Sequence, residues 1–186
     1  MKIEKIKPRF ITYKMNVDKD DEEYTSCMWA RFILDYDTWR LTINSDAGDY
    51  TYQWGNNDKN DNFTNLMARV NSDYLLNKMS NRNKFFIDKS KANTIQKIEE
   101  NGWDCFGINS KEEWEKIKQK INEIDDSSSE EYFFREVDSI VPQIDFECIE
   151  IVKDYPYGAY VAIDLFIKYI QPLLKEEWNS IKNQQN

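Results

Sequence analysis

The sequence predicts an α+β protein in which an N-terminal antiparallel sheet of about four strands is followed by a mostly helical C-terminal part. Two observations predict this fold class. In residues 1–55, short runs of alternating apolar and polar residues are separated by turn residues, as in strands with one buried face. From about residue 62 onward the apolar residues instead lie three and four positions apart, which is typical of amphipathic helices. We therefore expect residues 1–55 to form a β-meander and residues 62–186 to be mainly helical.

Four strands are predicted in the N-terminal third. Their shared feature is alternation of apolar and polar side chains, and they cover residues 10–15, 27–34, 39–44 and 50–54. A turn at residues 35–38 joins the second and third strands into a β-hairpin. A second turn, at residues 45–49, contains Gly48, which can adopt a positive φ.

The rest of the chain is predicted to form five helical segments. They begin at about Phe63, Ser90, Ser110, Ser128 and Ala159. The first is expected to run without a break toward Met79. Two capping boxes, in which Ser110 pairs with Glu113 and Ser128 with Glu131, predict the starts of two helices. Pro172 is expected either to kink the last helix or to begin a new segment.

Length and composition predict one folded domain over residues 1–186. Of the 186 residues 40% are hydrophobic and 15% aromatic, which exceeds the content of disordered chains. No run approaches the roughly 20 apolar residues that span a bilayer. The best one contains Asp164 and Lys168, whose i, i+4 spacing predicts a local ion pair. Because the basic N-terminus is followed by no apolar signal segment, we expect a cytoplasmic protein with no membrane partner.

The absence of histidine sets the sharpest limit on chemistry. The chain contains none, which removes the commonest general base, the commonest zinc ligand and every Ser-His or Cys-His nucleophile pair. The three cysteines are widely spaced, which suits free thiols better than a disulfide framework or a zinc site. The sequence also lacks a P-loop and a dinucleotide-binding glycine pattern. Any catalysis must therefore use carboxylates, Lys, Tyr, Arg or a metal.

Charge is unevenly distributed along the chain. The net charge is −9, and residues 121–150 alone hold ten acids against one base. Residues 1–14 and residues 78–91 each hold five bases against one acid. An acidic segment can imitate nucleic-acid phosphates toward a basic protein, or it can be a solvated surface that keeps the protein soluble. The sequence leaves both interpretations open.

Asp46 and Asp49 are the candidate catalytic and metal-binding residues. They lie in one tight turn, so their carboxylates could converge on Mg²⁺, which prefers oxygen ligands. Such an ion can activate water for phosphodiester cleavage. Asp73, on the following helix, is a third candidate. The alternative is structural, because an Asp in a turn commonly accepts hydrogen bonds from nearby backbone N–H groups.

Aromatic and basic residues near this turn are candidates for contacts with nucleic acid. Tyr50 and Tyr52 share one face of a strand and could stack on unpaired bases, although alternating aromatics are also typical of a core. Arg40, Arg69 and Lys78 could contact phosphates, or they could be surface charges paired with nearby acids.

Three blocks of the sequence resemble one family of small proteins. The blocks are RFILDYDTWRLTINSDAGDYTYQWG at residues 31–55, FTNLMARVNSDYLLNKMS at residues 63–80 and DYPYGAYVAIDLFIKYIQPLL at residues 154–174. They are similar to a family carried by phages and prophages of low-GC Gram-positive bacteria. That family includes anti-CRISPR proteins directed at the Cas9 of type II-A systems.

The resemblance implies a phage-encoded inhibitor that acts in the cytoplasm of a bacterial host cell. It would bind Cas9, or Cas9 with its guide RNA, and block DNA targeting. In one mode, a metal-dependent ribonuclease built on Asp46 and Asp49 shortens the guide RNA. In the other, a stoichiometric DNA mimic binds Cas9 through acids such as Glu130, Glu131 and Asp138. The distinctive block around residue 46 favours the first mode slightly, and a phage accessory protein unrelated to CRISPR is a further alternative.

Overall fold

The computed structural model describes residues 9–55 and 62–185 of the chain. Its contacts divide the chain into two compact units. Unit 1 comprises residues 1–81 and 155–186, and unit 2 comprises residues 82–154. Each unit has a hydrophobic core of its own and is described separately. The expectation of a single domain over the whole chain stays a prediction.

Unit 1 is built on a four-stranded antiparallel sheet, as predicted. The strands lie side by side in chain order: β1 (Phe10–Asn16), β2 (Trp29–Asp35), β3 (Arg40–Ser45) and β4 (Gly48–Gln53). One face is closed by helices, and there Phe32, Leu34, Leu41 and Ile43 have no exposed surface. Fully burying each such side chain contributes about 1.5–3 kcal/mol. The alternation of apolar residues therefore determines which face of the sheet packs inward.

The helix predicted to run unbroken from residue 63 to 79 is two helices. They are α1 (Phe63–Arg69) and α2 (Ser72–Met79). The backbone is extended at Asn71, whose side chain accepts a hydrogen bond from the N–H of Tyr74 at 2.8 Å. The prediction of a continuous helix was wrong because an Asn gains more from capping a helix than from lying inside one.

Unit 2 contains three α-helices and a short strand pair. The helices are α3 (Ile87–Asn101), α4 (Lys111–Asn122) and α5 (Glu130–Ile140), and the strands are β5 (Lys84–Phe85) and β6 (Lys153–Asp154). The first predicted capping box is confirmed, since Ser110 accepts a hydrogen bond from the N–H of Glu113 at 3.1 Å. The second is shifted by one residue. Ser129, not Ser128, caps α5 by accepting from the N–H of Tyr132 at 3.2 Å.

Two apolar side chains anchor α5 in unit 2. Phe133 and Val137 are spaced four apart, and neither has any exposed surface. Both belong to the core that also contains Ile98 of α3 and Ile121 of α4. The Phe133 ring also meets the Phe85 ring at 5.7 Å between centroids. The opposite side of α5 is consequently turned outward.

The chain returns to unit 1 in a long helical stretch. After β6, α6 (Tyr157–Leu165) passes through a π-helical turn at residues 166–170 into α7 (Gln171–Gln185). Within the described ranges, no helix has both the length and the apolar character needed to cross a membrane. A break in the helix was predicted at Pro172, and the π-helical turn lies just before that residue. Proline has no N–H to bond the carbonyl four residues earlier, and the π turn accommodates the missing bond.

Gln171 joins α7 to the break between α1 and α2. Its side chain is buried, and Nε2 donates hydrogen bonds to the carbonyl oxygens of Met67 at 3.1 Å and Val70 at 2.6 Å. The last carbonyls of a helix have no partner within that helix. Gln171 therefore supplies donors where α1 ends inside the protein.

We expect Gln171→Leu to lower the free energy of unfolding by about 2 kcal/mol, because two buried carbonyl oxygens lose their donor while the side-chain volume is nearly kept. Chemical denaturation followed by tryptophan fluorescence measures the change. Gln53→Leu, on the exposed face of β4, is the control and should stay within about 0.5 kcal/mol of the wild type. Equal stability of Gln171→Leu and the wild type would contradict this role.

Candidate functional site

The turn between β3 and β4 packs against the start of α6. Gly48 has a φ of 129°, and the Ser45 hydroxyl donates to the Gly48 carbonyl at 2.8 Å. A Cβ added at Gly158 would lie 1.8 Å from the carbonyl oxygen of Ala47, so no side chain fits there. This close approach of the backbone brings together residues 31–55 and residues 154–174, which contain Ala47 and Gly158.

Asp46 forms hydrogen bonds that hold the start of β2 in place. Its two carboxylate oxygens accept hydrogen bonds from the N–H of Met28 at 3.1 and 2.9 Å, and one also accepts from the Cys27 thiol at 2.9 Å. Partial burial works to raise the pKa of Asp46, but hydrogen bonds from Cys27 and Met28 hold it below its ordinary value. Burial, followed by this contact with Asp46, raises the pKa of Cys27 to about 11. These contacts favour the structural interpretation of Asp46.

The other two candidate carboxylates make different contacts. Asp49 accepts a hydrogen bond from the Asn44 side chain at 3.1 Å, and Asp73 lies exposed in the first turn of α2. In the part of the chain that the structure describes, no three His, Cys, Asp or Glu side chains form a group that could hold a metal ion. The predicted Mg²⁺ would therefore depend on one or two carboxylates, and both carboxylate oxygens of Asp46 already accept hydrogen bonds within unit 1. A catalytic role for Asp46, Asp49 and Asp73 stays a prediction.

Arg40 lies next to an acid that neutralises it. Its Nη2 is 3.1 Å from Oδ2 of Asp35, while Oδ1 of the same carboxylate accepts hydrogen bonds from the N–H groups of Asp37 and Thr38. Burial works to raise the pKa of Asp35, but the hydrogen bonds from Thr38, Asp37 and Arg40 lower it overall. Arg40 therefore supports the β2–β3 turn. Arg69 is exposed in the last turn of α1, and its contact with phosphate stays a prediction.

Tyr50 and Tyr52 are half-buried and pack against the core of unit 1. The Tyr50 hydroxyl donates to the Ala47 carbonyl at 3.3 Å. The Tyr52 ring meets the Trp54 ring at 4.8 Å between centroids, and Nζ of Lys78 lies 5.4 Å from the Tyr52 ring centre. These contacts favour the core interpretation, while base stacking by the two tyrosines and phosphate binding by Lys78 stay predictions.

Lys168 is paired across unit 1 and not along its own helix. Its ammonium group contacts the carboxylates of Glu22, at 2.8 Å, and Glu23, and the Tyr169 hydroxyl also donates to Glu23. The predicted pair with Asp164 was wrong because the intervening π turn changes the i, i+4 geometry on which it depended. Hydrogen bonds from Lys168 and then Tyr169 lower the pKa of Glu23 to about 2.

A groove of about 570 Å³ lies beside this cluster. Six consecutive residues, 12–17, line one side of it, and Tyr169, Ile170 and Leu173 line the other, with Asp21 and Glu23 also present. Sequence patterns did not predict this arrangement, because Lys168 and Tyr169 lie about 145 residues after Glu22 and Glu23. Pro172 was the available signal, since a proline inside a helix displaces the turn before it.

One side of α5 carries acids and an aromatic ring. Phe134 follows Glu131 by three positions and Glu130 by four, and Asp138 follows Phe134 by four, which places these residues on the same side of the helix. The Phe134 ring meets the Phe146 ring at 5.4 Å between centroids, and Phe146 is 63% exposed. We call this surface the acidic-aromatic face and define it by Glu130, Glu131, Phe134, Asp138, Phe146 and Glu147. The three acids predicted as partner-binding residues therefore lie together.

Most of the negative charge of residues 121–150 is not neutralised by ion pairs. In the described chain, lysines pair with three of the ten acids: Asp126 with Lys91 at 2.6 Å, Glu130 with Lys153 at 2.6 Å, and Glu150 with Lys97 at 3.7 Å. Glu131, Asp138 and Glu147 have no such pair there. A depression of about 460 Å³ beside Phe134 is lined by two of the face's acids, Glu130 and Glu131. Unpaired acids beside the exposed Phe146 ring and the half-buried Phe134 ring suit contact with a basic protein surface.

We expect Asp46→Ala to lower the free energy of unfolding by about 1–2 kcal/mol, because the Met28 N–H and the Cys27 thiol lose a charged acceptor. Asp49→Ala removes the neighbouring carboxylate, which is exposed and accepts one hydrogen bond, from the Asn44 side chain, and should cost about 0.5 kcal/mol or less. Thermal and chemical denaturation of both variants measure the difference. If both were as stable as the wild type, Asp46 would be free for another role.

The Glu23 carboxylate should make stability depend on pH in acid. Its pKa of about 2 lies below the ordinary 4.5, so its contribution is complete above about pH 4.5 and is lost as the pH falls toward 2. We expect the difference in melting temperature between the wild type and Glu23→Gln to shrink across this window. A difference that stays constant between pH 5.5 and 2.5 would contradict the contact with Lys168 and Tyr169.

Comparison with known proteins identifies the family to which the chain belongs. Residues 1–176 match the sequence model of Phage_phiTE_072, which is described as a phage family. No curated protein and no solved structure shows significant similarity to the chain. The match extends over far more than half of the sequence and agrees with the resemblance to phage proteins. The chain therefore belongs to this phage family.

Proposed function

We propose that this phage protein is an anti-CRISPR inhibitor that binds a type II-A Cas9 stoichiometrically through its acidic-aromatic face. The observation that carries the proposal is the set of unpaired acids that α5 and Glu147 hold around the half-buried ring of Phe134 and the exposed ring of Phe146. The resemblance to a phage family that includes Cas9 inhibitors supplies the choice of partner.

The charge of this face suits the surfaces that Cas9 uses for nucleic acid. Cas9 holds its heteroduplex in a positively charged channel and reads the short PAM with arginine side chains. Carboxylates displayed on a rigid helix can occupy such cationic side chains in place of phosphates. Phe134 and Phe146 add apolar contact area, and aromatic rings at the centre of an interface commonly contribute much of the binding energy.

Stoichiometric binding is better supported than truncation of the guide RNA. Asp46 uses both carboxylate oxygens within unit 1, and Asp49 is bound by Asn44. The predicted nuclease needs the carboxylates of Asp46 and Asp49 to converge on a metal ion. The acids of the acidic-aromatic face, in contrast, have no ion pair at Glu131, Asp138 or Glu147 among the described residues.

The test is inhibition of DNA cleavage by a panel of type II-A Cas9 enzymes from low-GC Gram-positive hosts. We expect the wild-type protein to inhibit at least one of them. Glu131→Gln, Asp138→Asn and Glu147→Gln together should raise the half-inhibitory concentration roughly tenfold or more and weaken its dependence on salt, because charged contacts across interfaces contribute on this scale. The matched control neutralises Asp18, Asp20 and Glu176, which are exposed acids of unit 1, and should inhibit like the wild type.

Three results would contradict the proposal. Full inhibition by the triple variant of unit 2 would remove the face from the interface. A guide RNA that becomes shorter only when magnesium is present, on a denaturing gel, would favour the ribonuclease. Unimpaired cleavage by every enzyme in the panel would leave the phage accessory protein unrelated to CRISPR as the better description.

A further inference from the structure

The second face of the sheet in unit 1 is open. Side chains alternate across a sheet, so the residues opposite the packed face include Lys14, Asn16, Trp29, Arg31 and Asn44. None of these five is buried, and Trp29 is 42% exposed. Among the described residues of unit 1, no helix closes this face.

Two cations lie directly opposite each other on the open face. The register of β1 and β2 pairs Lys14 with Arg31. Like charges in this position destabilise a sheet, and neither side chain has an acidic partner in the part of the chain that the structure describes. Arg40 on the same face differs, since Asp35 neutralises it. In a protein with a net charge of −9, this leaves a local site for a negatively charged ligand.

An aromatic ring and two amides surround the cation pair. Trp29 is two residues before Arg31 on β2, so both side chains project from the same face. Asn16 lies opposite Trp29, and Asn44 lies opposite Arg31 on β3. The face therefore offers two cations, an exposed ring and the Asn16 amide within two residues of one another along neighbouring strands, while the Asn44 amide donates to Asp49 at 3.1 Å on the far side of Arg31.

We propose that the open sheet face binds single-stranded nucleic acid, with phosphates at Lys14 and Arg31 and a base stacked on Trp29. Two cations alone could bind many kinds of polyanion. An exposed ring on a flat sheet, in contrast, suits unpaired bases, which can splay out and stack. A duplex hides its bases and is read by a helix or ribbon in a groove. This site lies in unit 1 and is independent of the proposed contact between unit 2 and Cas9.

The experiment measures fluorescence anisotropy of a labelled 16-nucleotide RNA and of the corresponding DNA in 50 mM salt. We expect Lys14→Gln with Arg31→Gln to weaken binding at least tenfold and to reduce the slope of log affinity against log salt by roughly 1.4, since each phosphate contact on a single strand contributes about 0.7. Trp29→Ala should weaken binding roughly fivefold or more by removal of stacking. Arg31→Lys keeps the charge and should bind within a few-fold of the wild type.

Lys19→Gln is the matched control. Lys19 is exposed in the loop between β1 and β2, and its replacement removes a positive charge, as Lys14→Gln and Arg31→Gln each do. It should leave binding and the salt slope nearly unchanged, and melting curves confirm that each variant folds. Absence of binding, an equal effect of the control, or tighter binding to a duplex would overturn the proposal. Tighter binding to polyglutamate than to RNA would assign the face to an acidic protein and would also overturn it.

Discussion

The packing of Phe133 and Val137 into the core of unit 2 is the interaction on which the acidic-aromatic face depends. Segment 121–150 carries ten acids and one base, and such self-repulsion opposes a compact state. Two fully buried side chains hold α5 against Ile98 and Ile121 in spite of it. Because α5 is fixed from its inner side, its acids are displayed on a rigid support. A rigid display loses less conformational entropy on binding than a flexible acidic tail would.

The block that looked most like an active site serves mainly to assemble unit 1. Asp46 holds the start of β2, and the turn that contains it meets Gly158 so closely that only glycine fits. Phe63 on α1 lies within 6.0 Å of the Trp54 ring, between centroids, and so ties the second block to the first. The residues at these positions are therefore explained by close packing within unit 1. The two surfaces proposed to bind partners are α5 and the open side of the sheet, and this block contributes Arg31 and Asn44 to the second.

Local sequence patterns were sufficient to predict the sheet and most helix starts, because the alternation of apolar residues and helix caps act within a few residues. They failed where a residue far away in the chain determines the local structure or the partner of a side chain. The break at Asn71 is supported by Gln171, about a hundred residues later, and Lys168 is paired with Glu22 and Glu23 from the N-terminal part of the chain. Composition identified the acidic segment of the candidate site. The neighbouring contact of Phe134 with Phe146 depends on how unit 2 folds and left no signal in the spacing of residues.

Binding through the acidic-aromatic face is tested most directly by a hydrogen-exchange footprint of this protein in the presence of a Cas9–guide RNA complex that it inhibits. We expect slower exchange in α5 and at residues 145–150, with little change in the β-strands of unit 1, and release of that protection when target DNA competes for the same channel. Exchange that slows only in unit 1, or protection of α5 that target DNA leaves unchanged, would contradict the claim that the acidic-aromatic face occupies a nucleic-acid-binding surface.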